Sequence, residues 1–221
     1  MKIAIMQPYI FPYFGYYQLI NAVDEFVVLD DVNFIKKGFI NRNFIGPGDK
    51  KMFSIPLKKP SQNVNIRDTL LSESYEGWRS KFLTTLKHQY SRFENFPAVY
   101  DIVSDVLHKD CRTISELSAA SLLSVAEYLD IKTNFLFSGD LMVEGKFDEK
   151  IISTCKRLGA SQYINPIGGQ QLYSKKKFLS NNIELSFLKS GECYEYMSII
   201  DVLMKFAISD LKKELSNMEL L

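Results

Sequence analysis

Short strand-like runs alternate with helical patterning at both ends of the chain, and this alternation limits the fold more than any other feature. The run Lys2–Met6 stops at Gln7-Pro8. It is too short for the apolar core of a secretion signal and reads as a buried strand. Pro12 cannot sit inside a helix, so a helix is expected just after it, over residues 14–22. Residues 25–29 read as a second strand that ends in the pair Asp30-Asp31. Near the other end, residues 133–137 read as a strand, 149–158 as a helix, and 161–164 and 183–188 as further strands. Strand–helix–strand units at both ends predict an α/β fold, a Rossmann-like, mostly parallel sheet with helices on both faces.

The middle of the chain has a different period. Gly46-Pro47-Gly48-Asp49 is a turn signal that leads into a strand over residues 51–56. Trp78, Phe82, Leu86 and Tyr90 then recur every four residues, and Ile102, Val106, Leu117, Leu122, Val125 and Leu129 continue the helical pattern. Residues 75–129 are expected to form three helices, broken at Asn95-Phe96-Pro97, as a central insert or cap on one domain of residues 1–221. A two-unit reading would place a boundary between residues 57 and 73. The tail puts Ile199, Ile200, Leu203, Met204, Ala207, Ile208 and Leu211 on one face of a single helix.

Composition narrows the chemistry. The chain has 221 residues, 46% of them hydrophobic, enough to bury a core without a staple. Cys111, Cys155 and Cys193 are far apart and lack ligand spacing, so no metal site is expected and a reducing, cytoplasmic setting is. A net charge of +1 gives no reason to expect nucleic acid as a partner. No run is long enough to span a bilayer. GxxxxGKS/T and GxGxxG are both absent. The two histidines, His88 and His108, fall inside the helical block. Chemistry is therefore left to Asp, Lys, Arg, Tyr, Gln and backbone groups, with cofactor and oligomeric state open.

Right-handed crossovers place a ligand crevice at the carboxyl ends of the strands, where strand order reverses. The loop after the first strand supplies Gln7, Tyr9, Tyr13, Gly15 and Tyr16 as substrate-binding candidates, although an aromatic loop can also simply cover a sheet edge. Asp30 and Asp31, closing the second strand, are catalytic candidates together with Lys36. Lys36, Lys37 and Arg42 would hold phosphate or carboxylate, with Asn41 also binding substrate, unless this stretch is an ordinary amphipathic surface strand. Asn165, Gly168 and Gly169 follow a later strand and should meet the first loop across the same crevice, unless they only build a turn. An Asp→Asn change at position 30 or 31 is expected to cost about 0.5 kcal/mol or less, as a surface substitution does.

The string MKIAIMQPYIFPYFGYYQLINAVDEFVVLDDVNFIKKGFINRN, with YINPIGGQQLY and SIIDVLM further on, resembles the WbqC-like family over essentially the whole chain. That resemblance implies work in surface-polysaccharide (O-antigen or capsule) synthesis, on sugar nucleotides or their amino-sugar products. A more distant likeness is to HUP-type nucleotidylyl transferases, which carry HxGH after the first strand. The matching string here is Tyr13-Phe14-Gly15-Tyr16, in which both histidines are replaced by tyrosine. Tyrosine can donate to a phosphate but cannot carry positive charge. The leading expectation is transfer of an acyl or aminoacyl group to a nucleotide-linked amino sugar. Its rivals are nucleotidyl or phosphoryl transfer with ATP and Mg²⁺ on Asp30 or Asp31, and a non-catalytic binding protein of an assembly complex.

Overall fold

The structure, a computed structural model, describes residues 1–59, 63–191 and 196–221. Cys193 lies outside the described residues. The main sheet contains β1 (Lys2–Met6), β2 (Glu25–Val28), β5 (Asn134–Phe137), β6 (Gln162–Pro166), β7 (Glu184–Ser190) and β8 (Met218–Leu220). Its order is β5-β2-β1-β6-β7-β8, parallel throughout except for the antiparallel β8 edge. This is an α/β fold with a mostly parallel central sheet flanked by helices.

Alternate residues of each strand enter two cores, which is why the strands read as nearly continuous apolar runs. On one face Ile3, Ile5, Val27, Tyr163, Leu185 and Phe187 meet α6 (Asp148–Leu158) and α7 (Lys175–Leu179) through Ile151, Ile152, Cys155 and Phe178. On the other face Ala4, Phe26, Val28, Ile164 and Leu188 meet α1 (Phe14–Asn21) through Leu19 and Ile20. The same core takes in α2 (Tyr75–Tyr90), α3 (Phe96–His108) and α4 (Ile114–Tyr128) through Phe82, Leu86, Val103, Leu117 and Leu122. The helical block thus packs into the core of the sheet. Thr113 and Glu116 form a capping box at the start of α4, a device worth about 1 kcal/mol.

Two elements differ from the sequence expectation. The strand in the 51–56 region, β4 (Lys51–Ser54), pairs with an unexpected strand, β3 (Arg42–Ile45), in a separate antiparallel hairpin. The tail is not one helix but α8 (Ile199–Lys205) and α9 (Ile208–Glu214), followed by β8. Asn95 explains the break. Its Nδ2 donates to the carbonyls of Leu203 at 3.0 Å and Phe206 at 2.7 Å, satisfying the end of α8 while Phe206 turns extended. Among the described residues no helix is long and apolar enough to cross a membrane.

Candidate functional site

From β1 the chain moves one way to β2, whereas from β6 it moves the other way to β7. In open parallel sheets ligands bind beyond the carboxyl ends of the strands at such a reversal. A crevice of about 700 Å³ lies there, lined by Gln7 after β1, Asp31 after β2, Lys150 on α6 and Tyr173 after β6. Asn33 and Asn65 add to its polar lining from two loops bridged at those residues, and Asp148 and Lys146 line it from the start of α6 and the loop before it.

An ion pair forms its floor. Lys150 Nζ donates to Asp31 Oδ2 at 2.6 Å and to the Val143 carbonyl at 2.9 Å. The other carboxylate oxygen of Asp31 accepts from the hydroxyl of Ser138, the first residue of α5 (Ser138–Leu141). Lys150 is only 9% exposed. Two of its three N–H groups are committed, leaving one for a ligand. Gly145, at φ 129°, lets the loop close on α6, since a Cβ there would sit 3.0 Å from the Lys150 backbone nitrogen. A second pair, Lys177 to Asp148 at 2.9 Å, ties α7 to α6 beside the crevice. Both carboxylates lining the crevice are therefore matched by lysines.

Tyr173 is supported from below. Asn165, buried at the end of β6, donates from Nδ2 to the Tyr163 hydroxyl at 2.6 Å, and the Tyr163 ring meets the Tyr173 ring edge-on at 5.8 Å. Burial pushes the Tyr173 hydroxyl above its ordinary value, while the Tyr163 hydroxyl beside it pulls the other way. Asn165 thus serves the crevice through tyrosines. The Asn165 Oδ1 occupies the space a side chain at Gly169 would need, and Gly168 is open to solvent. The glycines at 168 and 169 lie within a 3₁₀ turn, Ile167–Leu172, whose last residue reaches the crevice.

The remaining expected residues do not share this crevice. Lys36, Lys37, Asn41 and Arg42 line a separate open depression of about 490 Å³ with Lys59. The strip after β2 divides the two, with Asn33 and Ile35 lining the crevice and Phe34 and Lys36 the basic depression. Arg42 is spent on its own loop, donating from Nε to the Gly38 carbonyl at 2.9 Å and from Nη2 to the Lys37 carbonyl. Asn41 donates to the Ile55 carbonyl at 2.9 Å. Tyr9 and Tyr13 line a slot of about 190 Å³ with Pro12, Phe39, Asn43 and Tyr196. Tyr16 is fully buried and donates to the Gln7 carbonyl at 2.6 Å. Gly15 is buried where a Cβ would lie 2.6 Å from Ser190 Oγ. The single crevice expected from sequence is thus three depressions, because the first loop is held in place at Phe11, whose N–H donates to Ser121 Oγ on α4 and whose carbonyl accepts from Asn43 Nδ2 on β3 and from the hydroxyl of Ser198, which caps α8.

Asp30 and Asp31 part company because adjacent residues after a strand face opposite ways. Asp30 is buried and accepts from Gly139 N at 3.0 Å, Ser138 Oγ at 3.3 Å and Ser115 Oγ at 3.5 Å. Burial raises its carboxyl above the ordinary range, opposed by the Gly139 N–H, the Arg67 charge and Ser138. It works as an internal tie between β2, α5 and α4. Among the described residues no group of three or more His, Cys, Asp or Glu is placed to hold a metal ion. Sequence reasoning missed Lys150, Asp148 and Ser138. The only available signal was Asp148 and Lys150 in the first turn of a helix that follows a strand of the parallel set.

The model of the WbqC-like protein family matches residues 7–213. The uncharacterized protein Rv1507c of Mycobacterium tuberculosis (strain ATCC 25618 / H37Rv) is 25% identical over 201 residues, covering 90% of this chain and 86% of that protein. No solved structure matches the chain.

Proposed function

The chain belongs to the WbqC-like protein family, and from that premise we propose that it is a cytoplasmic transferase of surface-polysaccharide synthesis with a Rossmann-like, HUP-like sheet. It transfers an acyl or aminoacyl group to a nucleotide-linked amino sugar. The observation that carries this reading is the Asp31–Lys150 pair on the floor of the crevice at the strand-order reversal. Asp31, already accepting from Lys150 and Ser138, has lone pairs left to orient the attacking amine. As the amine adds to the carbonyl of an acyl thioester, negative charge grows on the carbonyl oxygen and the uncommitted N–H of Lys150 faces that charge. The C–S bond then breaks, and the proton lost by the amine passes by way of Asp31 to the departing thiolate, which leaves as the thiol. Gln7, Asn33 and Asn65 offer amide groups to sugar hydroxyls. Lys36 and Lys37, without ion-pair partners among the described residues, attract the phosphates from the neighbouring depression.

The rival with Mg²⁺ on the aspartates is less well served. Asp30 faces its internal donors, and Asp31 would have to exchange Lys150 for the ion. A scaffolding role would draw support from exposed apolar residues on the C-terminal helix; Ile199, Ile200, Leu203, Met204 and Leu211 are buried, Ile208 is half-buried, and Phe206 and Ala207, exposed between α8 and α9, offer a partner little surface.

The test is a thermal-shift screen with UDP-glucosamine, UDP-N-acetylglucosamine and dTDP-linked amino sugars, followed by incubation of binders with acyl-CoA donors and mass spectrometry. A ligand at about a hundredfold its Kd raises stability by about 2.7 kcal/mol. An acylated sugar nucleotide that disappears with Asp31→Asn is the expected result. Failure of every amino-sugar nucleotide to shift the wild type would overturn the proposal.

A further inference from the structure

Phe147, the residue just before α6, has a backbone at φ 49° and ψ −127°, a region that side-chain-bearing residues enter only at a cost. Packing does not repay it, because Phe147 is 89% exposed. Strain of this kind is concentrated at active sites and ligand clamps. The ring lines the crevice, and so do two other exposed apolar side chains from separate segments, Ile35 (54% exposed) and Leu172 (74% exposed). The crevice thus has a polar floor of Gln7, Asp31 and Lys150, the Tyr173 ring in its wall, and three exposed apolar side chains, Phe147 among them, standing beside Lys146.

We infer that Phe147 is a stacking platform for the planar base of a nucleotide, whose polar remainder reaches the floor. This rests on reading the crevice as the substrate site. An aliphatic chain would seek an enclosed apolar slot, whereas Phe147, Ile35 and Leu172 are all open to solvent, which suits a flat ring contacted on its face. A cavity of about 700 Å³ has room for a nucleotide-sized ligand rather than a lone sugar ring.

The experiment is calorimetry with UDP, dTDP and GDP, with ribose 5-phosphate and inorganic phosphate as probes lacking a base, on wild type, Phe147→Gly and Phe147→Trp. Wild type is expected to bind at least one nucleoside diphosphate at least tenfold more tightly than either base-free probe. Phe147→Gly should weaken that binding about 5- to 100-fold, as loss of an aromatic–base stack does. Its Tm should stay level or rise by about 2–4 °C, because glycine adopts this backbone freely. Phe147→Trp should bind within about threefold of wild type, since stacking tolerates any aromatic ring. The platform is overturned if wild type binds none of the three nucleotides, if base-free probes bind as well, if Phe147→Gly binds like wild type, or if its Tm falls. Nucleotide binding through Phe147 without acylation of any amino sugar would keep the platform and sink only the proposed transfer.

Discussion

Replacing Lys150 with methionine keeps most of the side-chain volume and removes the charge that faces Asp31. The paired side chains are 11% and 17% exposed, with the charged atoms 2.6 Å apart. Breaking a fully buried pair costs about 3–5 kcal/mol, while an exposed pair is worth about 0–1 kcal/mol. The residual exposure puts this one between, at about 2–3 kcal/mol, or a Tm about 5–10 °C lower for a chain of this size. Asp31→Asn should cost less, about 1–2 kcal/mol, because the amide oxygen and the Val143 carbonyl still accept from the ammonium. This revises the value of about 0.5 kcal/mol or less that suits a surface aspartate. The double variant removes both charges and should recover at least about 1 kcal/mol relative to the sum of the singles. Urea melts of the four proteins give the cycle directly. Additive single costs would mean the two groups do not depend on each other, and the floor as described would be wrong.

Asp30 should show itself through pH. Its folded carboxyl lies above the unfolded value of about 3.9, so the native state holds the proton more tightly. The stability this contributes is fully present below about pH 3.9 and is lost as pH rises through the folded value. Thermal melts of wild type and Asp30→Asn should therefore diverge in favour of wild type as pH falls from 7 towards 4, and a gap that is constant or narrows would contradict the burial argument. Gly15→Ala should cost about 1–3 kcal/mol by urea melts, because the new Cβ meets Ser190 Oγ at 2.6 Å and the Tyr13 ring at 2.8 Å. An unchanged midpoint would show that both neighbours yield freely.

Periodicity made the parallel strands legible because each is buried on both faces. Residues 3–6 and 26–29 have no choice but to be apolar when two cores meet at one strand. The β3–β4 hairpin was half hidden, since Arg42 and Asn43 look like part of a basic loop until Asn43 is seen holding the Phe11 carbonyl. The break after α8 depends on Asn95, more than a hundred residues away, so no local pattern announces it. The site divides the same way. Gln7 and Asp31 could be located because strand ends are predictable. Lys150 could not, because only the packing of α6 over the sheet brings it to Asp31. Tyr16 and Asp30 looked like site residues for a sound reason, being polar groups beside a predicted crevice, but both satisfy their hydrogen bonds inside the protein.

The central position of β1 also sets a timetable for synthesis. Ile3 pairs across the sheet with Glu25 on one side and Tyr163 on the other. At roughly 5–20 residues per second, the ribosome needs about 8–30 s to deliver the second neighbour after the first strand is made. Through that interval β1 can be covered on one flank at most, leaving a bare hydrogen-bonding edge on a strongly apolar strand. The helical block, whose contacts are largely between consecutive helices, emerges in the meantime and can mature early. Yield in cells should then be governed by how well chaperones shield the first thirty or so residues.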